Sequence, residues 1–108
     1  MLYVANTFSL NMLDGSAVLR VNEVDASQVK KLLEHHKWES CVGHASTAEI
    51  LTTLLGHHIP LNRTAVKLHK GDMAIVFQVM VRVEEGKVLS RDEIEKLPTK
   101  FFTVEVVE

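Results

Sequence analysis

The sequence predicts a single α/β domain in which a mixed central β-sheet is flanked by helices. Short apolar runs of strand length are interspersed with segments that carry apolar residues at helical spacing. The chain has 108 residues with 46% hydrophobic content, enough for one compact core but hardly for two. No repeat, low-complexity tract or Pro/Gly-rich linker divides it. We therefore expect residues 1–108 to form one domain.

Five segments have the composition or the alternation of strands. They are residues 2–8, 17–21, 64–68, 73–83 and 101–107. The turn Lys70-Gly71-Asp72 lies between the third and fourth of these segments. Since a short turn of this kind joins hairpin partners, those two strands are predicted to be antiparallel neighbours.

Three helices are predicted from capping boxes, in which a polar residue is followed three positions later by Glu or Gln. The pairs are Asp25 with Gln28, Ser46 with Glu49, and Ser90 with Glu93. The first helix is expected to reach about His36, after which residues 37–40 serve as a connection. The second is expected to begin at Thr47 and to end before Gly56, a typical residue just past a helix end.

The charge and the cysteine content exclude several classes of protein. Twelve basic and 14 acidic residues give a net charge of −2, which argues against broad electrostatic coating of long nucleic acid. A local pocket for a small anion remains compatible with this charge. The single Cys41 allows no intramolecular disulfide and suits a reducing interior. With no signal-peptide pattern and no apolar run near the roughly 20 residues needed to span a bilayer, we expect a cytoplasmic protein.

Histidines and Cys41 do not form a recognisable metal or nucleophile motif. Adjacent residues on a helix point about 100° apart, so the pair His35-His36 is poorly placed to share an ion. The pair His57-His58 follows a predicted helix end, and no HExxH spacing occurs. Cys41 lies three residues from His44 in an apolar segment and is predicted to be a core residue. No metal and no cofactor are expected.

His44 is the residue that most strongly suggests chemistry. It lies two residues before Ser46, where the start of a helix would present unpaired N–H groups and a positive dipole end to an anion. An imidazole at that place is either a hydrogen-bonded structural residue or a general acid for a phosphodiester.

Other polar residues also have two interpretations when the residues are taken alone. Arg82, Glu84 and Glu85, near the end of a long predicted strand, form either a solvated turn or part of a site at the sheet rim. The polar run after the first strand either makes a turn or recognises a base or ribose. Arg63 is either a surface residue or a bidentate phosphate ligand.

Four ordered blocks together resemble a known family. They are residues 6–13 (NTFSLNML), 43–47 (GHAST), 62–63 (NR) and 82–87 (RVEEGK). In these blocks the chain is similar to the small ring nucleases found as type III anti-CRISPR proteins of viruses and in related mobile-element and cellular proteins. Residues 14–40 carry little of the match.

The resemblance implies cleavage of the second messenger cyclic tetra-adenylate to linear di-adenylates, which switches off type III CRISPR signalling. It implies a homodimer that encloses the cyclic ligand between two equivalent active sites. The family's catalytic residues fall on His44, Arg82 and Glu85. Its ligand-binding positions fall on Asn6, Ser9, Asn11, Thr47, Arg63 and Gln78. Ala45 departs from the aspartate common in the family's GHDST block, which affects the expected hydrogen bonding of that loop.

The implied chemistry requires no metal, because RNA contains its own nucleophile in the ribose 2′-hydroxyl. His44 would protonate the departing 5′-oxygen, Arg82 and Arg63 would offset phosphate charge, and Glu85 would orient the imidazole. The alternative is a non-catalytic protein of a virus or mobile element that binds a cyclic oligonucleotide or nucleic acid. A structural or interaction protein of a mobile element is a third possibility.

Overall fold

Five strands and three helices make up the part of the chain that the computed structural model describes, residues 1–81 and 89–108. The strands are β1 (Leu2–Ala5), β2 (Leu19–Val24), β3 (Trp38–Ser40), β4 (Met73–Val79) and β5 (Thr99–Val106). The helices are α1 (Ala26–His35), α2 (Ala45–Leu55) and α3 (Arg91–Lys96), and a short 3-10 helix spans Leu10–Met12. The predicted mixed α/β fold is confirmed.

The strands form one mixed sheet in the order β2-β5-β4-β1-β3. β1 pairs in parallel with β3 on one side and with β4 on the other. β5 runs antiparallel to both β4 and β2. Three parallel strands therefore end at the same edge of the sheet.

The predicted strand at residues 64–68 is wrong. In this segment only Leu68 takes part in β-pairing, as an isolated bridge to Leu13. The Leu68 amide donates to the Met12 carbonyl at 2.7 Å, and both sides of β4 are already paired with β1 and β5. No place beside β4 is left for this segment, so the predicted hairpin across Lys70-Gly71-Asp72 does not form.

The connection predicted at residues 37–40 contains a strand instead. Trp38–Ser40 pairs in parallel with β1 at the edge of the sheet. An edge strand of three residues is too short to show alternation, and the charged Glu39 within it lies on the exposed part of the protein. The other strands match their predicted positions with ends shifted by a few residues, and residues 82–83 of the predicted fourth strand lie outside the described residues.

Two of the three capping boxes are confirmed. The Gln28 amide donates to the Asp25 carboxylate and the Asp25 amide to the Gln28 side chain, both at 2.8 Å. Ser90 and Glu93 make the same reciprocal bonds at the start of α3. Gly56 follows α2 in the left-handed conformation with φ of +67°, as predicted from its position.

All three helices pack on one face of the sheet. The main core combines side chains from the helices with inward-facing strand residues, including Phe77 and Phe101, whose ring centroids are 5.0 Å apart. The opposite face has a smaller core around Leu68, Ala74 and Val106, covered by loop residues such as Phe8 and Met12. In the described part of the chain, no helix has the length and apolar character needed to cross a membrane.

Candidate functional site

The candidate site lies where the parallel strands end. Val4 is opposite Ser40, and Ala5 is opposite Val76, so the segments after β1 and β3 leave the sheet beside each other and next to β4. In α/β sheets this edge is the usual place for ligands, because loops rather than strands line it. The Cys41 amide donates to the Val4 carbonyl at 2.8 Å, which keeps the two outgoing segments together.

His44 is the N-cap of α2, and this corrects the predicted start of that helix. α2 begins at Ala45, and His44 has the extended backbone of an N-cap, with φ of −128° and ψ of 129°. Ser46 therefore lies inside the first turn, and the predicted capping box with Glu49 does not form. Ala45 is the residue type with the highest helix propensity, so the helix extends back to the extended backbone at His44.

The start of α2 has no side-chain cap within the described residues. His44 contributes its backbone carbonyl, which accepts from the Ala48 amide at 3.0 Å. The imidazole is left exposed. An exposed imidazole next to the N–H groups of a helix start is a suitable arrangement for contacting an anion.

Asn6 and Arg63 both lie next to Gly43, the residue before His44. The Asn6 side-chain oxygen accepts a hydrogen bond from the Gly43 amide at 3.1 Å. A Cβ placed on Gly43 would lie 3.4 Å from Cγ of Arg63, so the Arg63 stem is close to the glycine. The fold thus brings together three predicted site residues from distant parts of the sequence, Asn6, His44 and Arg63.

Three of the predicted ligand-binding residues line one cavity of about 340 Å³. They are Asn6, Ser9 and Asn11. The opposite wall comes from residues 64–67, the segment that was predicted to be a strand. Because this segment does not pair in the sheet, it lies against the loop after β1 instead. Its absence from the sheet therefore explains both the wrong strand prediction and its place in the cavity wall.

Lys67 is a cationic lining residue that sequence reasoning missed. Its ammonium group donates to the Asn11 carbonyl at 2.5 Å, on the wall of the same cavity. The signal available in the sequence was a lysine between Val66 and Leu68, both of which pack in the smaller core. A charged side chain at that position must extend away from the smaller core, and the Lys67 side chain extends toward the cavity.

Thr47 and Gln78 lie near this edge but do not line the cavity, and neither do His44 and Arg63. Thr47 is in the first turn of α2, half-buried. Gln78 is exposed on β4, two residues beyond Val76, the partner of Ala5. Arg82 and Glu85, predicted as catalytic, lie outside the described residues.

Cys41 lines the cavity as a half-buried thiol. Its Sγ donates to the Val4 carbonyl at 3.4 Å, and burial raises the pKa of the thiol above its ordinary value. A raised pKa keeps the sulfur neutral and poorly nucleophilic at neutral pH. The prediction that Cys41 is a core residue is wrong, because the side chain lies at the cavity wall and belongs to neither core cluster.

The histidine pairs lie at helix ends. His35 ends α1 and His36 is its C-cap, while His57 and His58 follow Gly56. Among residues 1–81 and 89–108, no group of three His, Cys, Asp or Glu side chains is arranged to hold a metal ion. A larger crevice of about 710 Å³ runs beside α1 and β2, and its lining includes none of the predicted site residues.

The fold and this edge define a class of small mixed-sheet α/β proteins, with helices on one face and a cavity at the ends of the parallel strands. Residues 2–101 match the model of the STIV B116-like family, and the chain belongs to that family.

Relatives occur in viruses and in a bacterium. Protein 26 of Sulfolobus islandicus filamentous virus is 35% identical, over 99% of this chain and 92% of the relative. Protein ORF117 of Acidianus two-tailed virus is 37% identical, over 82% and 77% of the two chains. Protein YddF of Bacillus subtilis is 32% identical, over 77% of this chain and 79% of the relative.

A solved structure has the same fold. B116 of Sulfolobus turreted icosahedral virus superimposes with a TM-score of 0.80 at 31% sequence identity. The superposition covers 96% of this chain and 97% of B116. The architecture described above is therefore that of a family represented in several viruses.

Proposed function

We propose that this protein is a metal-independent ring nuclease that cleaves cyclic tetra-adenylate to linear di-adenylates, acting in the cytoplasm of the cell that makes this messenger. The observation that carries the proposal is the convergence of Asn6, His44 and Arg63 around Gly43, with Asn6 also lining the cavity of about 340 Å³. The resemblance of four sequence blocks to ring nucleases supplies the substrate.

The arrangement suits general-acid catalysis by His44. The ribose 2′-oxygen attacks the adjacent phosphorus and gives its proton to a base or to water, while the bond from phosphorus to the 5′-oxygen breaks. The exposed imidazolium of His44 transfers its proton to that leaving oxygen. The products are a 2′,3′-cyclic phosphate and a 5′-hydroxyl, and two such cuts convert the ring to two di-adenylates.

Phosphate charge has several partners in the described residues. Arg63, whose aliphatic stem lies beside Gly43, carries a planar guanidinium, and Lys67 carries an ammonium group at the cavity wall. The N–H groups at the start of α2 add a positive dipole end next to His44. Arg82 and Glu85 keep the roles implied by the resemblance, charge stabilisation and orientation of the imidazole.

We propose further that two copies enclose the ligand. Four large apolar side chains are at least 49% exposed in segments that adjoin the site. They are Leu10, Leu61, Met80 and Val81. A group of exposed apolar side chains is typical of a protein–protein interface. A twofold dimer would also match the symmetry of a tetranucleotide ring.

The direct test is incubation of the protein with labelled cyclic tetra-adenylate in excess chelator, with product analysis by chromatography and mass spectrometry. We expect di-adenylate ending in a 2′,3′-cyclic phosphate. The variant His44→Ala should lose on the order of 100-fold or more in rate while still binding the ring. Ligand returned intact by the wild-type protein would refute the nuclease and leave a sequestering protein. Equal rates for the variant and the wild type would refute His44 as the acid.

A further inference from the structure

We infer that Ser40 and Asn62 are positioning residues that fix His44 relative to Arg63. They form a hydrogen-bonded clamp, the Ser40–Asn62 clamp, between the end of β3 and the segment that follows Pro60. This inference rests on the proposed function, because it assigns these residues a part in the same reaction.

Four hydrogen bonds make up the clamp. The Ser40 hydroxyl donates to the Pro60 carbonyl at 2.6 Å and accepts from the Val42 amide at 3.2 Å. The Asn62 side-chain amide donates to the Ser40 carbonyl at 2.8 Å, and the Asn62 backbone amide donates to the Val42 carbonyl at 2.9 Å. Three of these bonds join residues 40–42 to residues 60–62, and each of the two segments supplies at least one donor.

The clamp ends immediately before the two site residues. His44 lies two positions after Val42, and Arg63 follows Asn62 directly. Gly43, which precedes His44, donates its amide to Asn6 and lies next to the aliphatic stem of Arg63. Any change in the distance between residues 42 and 62 thus moves the imidazole relative to the guanidinium.

The two residues have different surroundings, which helps to test the inference. Ser40 is 4% exposed, so its hydroxyl contributes to folding as well as to the site. Asn62 is exposed, and its side chain makes one hydrogen bond, to the backbone carbonyl of Ser40, while no apolar core contact depends on it. Substitution of Asn62 can therefore loosen the site without removing the core that folds the domain.

The test uses Asn62→Ala, with Asn22→Ala as the matched control. Asn22 is an exposed asparagine on β2 that makes no side-chain hydrogen bond with the described residues. Because a shift of about 1 Å in a reacting group can cost about 100-fold in rate, we expect Asn62→Ala to slow single-turnover cleavage of cyclic tetra-adenylate about tenfold. Asn22→Ala should change the rate less than twofold, and melting temperatures should show that both variants are folded.

A double mutant separates positioning from a general loss of structure. If Asn62 acts through His44, Asn62→Ala should cost less than twofold when introduced into His44→Ala. In labelled protein, NMR signals of the Gly43 amide and of the His44 ring should shift in Asn62→Ala but not in Asn22→Ala. Equal rate losses in both backgrounds, or unmoved NMR signals, would overturn the inference.

Failure of the proposed function gives a different result. In that case the wild-type protein itself returns intact cyclic tetra-adenylate, whatever the state of Asn62. The NMR comparison then decides alone: shifts at Gly43 and His44 in Asn62→Ala support the clamp as the element that holds this loop, and unmoved signals refute it.

Discussion

Removal of the Ser40 hydroxyl should destabilise the protein strongly for so small a group, because the hydroxyl makes two hydrogen bonds. Ser40→Ala leaves the buried Val42 amide without its acceptor, which costs about 1–3 kcal/mol. It also takes the donor from the Pro60 carbonyl, whose residue is exposed and can bind water, at a cost of roughly 0.5–1 kcal/mol. The expected loss in the free energy of unfolding is therefore about 2–3 kcal/mol.

The loss is large enough to measure by urea denaturation. With an m-value of roughly 1–3 kcal/mol/M, the unfolding midpoint should fall by about 1 M. In thermal unfolding, Tm should fall by about 10 °C or more. The single Trp38, two residues from Ser40 in the same strand, gives a fluorescence signal, and far-ultraviolet circular dichroism provides a second probe.

Ser46→Ala is the matched control for this substitution. Ser46 is exposed inside the first turn of α2 and is not the cap of that helix, so the change should stay within about 0.5 kcal/mol. Equal midpoints for the two variants would refute the role given to the Ser40 hydroxyl. A loss of about 1 kcal/mol or more in Ser46→Ala would show instead that Ser46 caps the helix.

Three further predictions concern stability and reactivity. The pKa of Asp72 is lowered, because the hydrogen bond from the His69 amide and the charge of the terminal amine outweigh burial. Its contribution to stability should be complete above its unfolded pKa and lost as pH falls through the lower folded pKa, so urea midpoints of Asp72→Asn and wild type should converge on acidification. Gly56→Ala should cost about 1 kcal/mol in urea unfolding, because φ there is +67°, and a midpoint equal to wild type would contradict this. Because burial raises the pKa of Cys41, iodoacetamide should react more slowly with the folded protein at pH 8 than with the urea-unfolded chain, and equal rates would count against it.

Features of the fold that depend on neighbouring residues could be predicted from the sequence. The capping boxes at Asp25 and Ser90 and the glycine after α2 each act within one turn of a helix, so a few residues contain the whole signal. Ser46 shows the limit of this approach. The same pattern occurs there, but the helix starts two residues earlier, where the backbone next to Gly43 is held by Asn6.

Pairing between distant segments could not be predicted from local patterns. Residues 64–68 have strand composition, yet both sides of β4 are taken by other strands, and only the topology shows this. Trp38–Ser40 has little strand signal of its own and depends on β1 for its conformation. Sequence-local reasoning therefore found the helices more reliably than the partners of each strand.

The candidate site shows the same contrast between local patterns, which the sequence reveals, and distant contacts, which it does not. Local patterns made His44, Asn6 and Arg63 candidates, the resemblance implied their roles, and the structure places them around one glycine. Ser40, Asn62 and Lys67 were missed as contributors, because their contacts are with backbone groups far along the chain. A hydrogen bond to a distant backbone carbonyl produces no periodicity or motif in the sequence.

The position of β1 has a consequence for the order in which this protein acquires its structure. β1 lies between β3 and β4, so Leu2 finds its two partners only at Trp38 and Met73. During synthesis the first strand must wait for most of the chain before both of its sides are paired, and such distant contacts slow folding. The cavity wall at residues 64–67 is also translated well after the wall at residues 5–12, so the complete cavity forms only after more than half of the chain has been made.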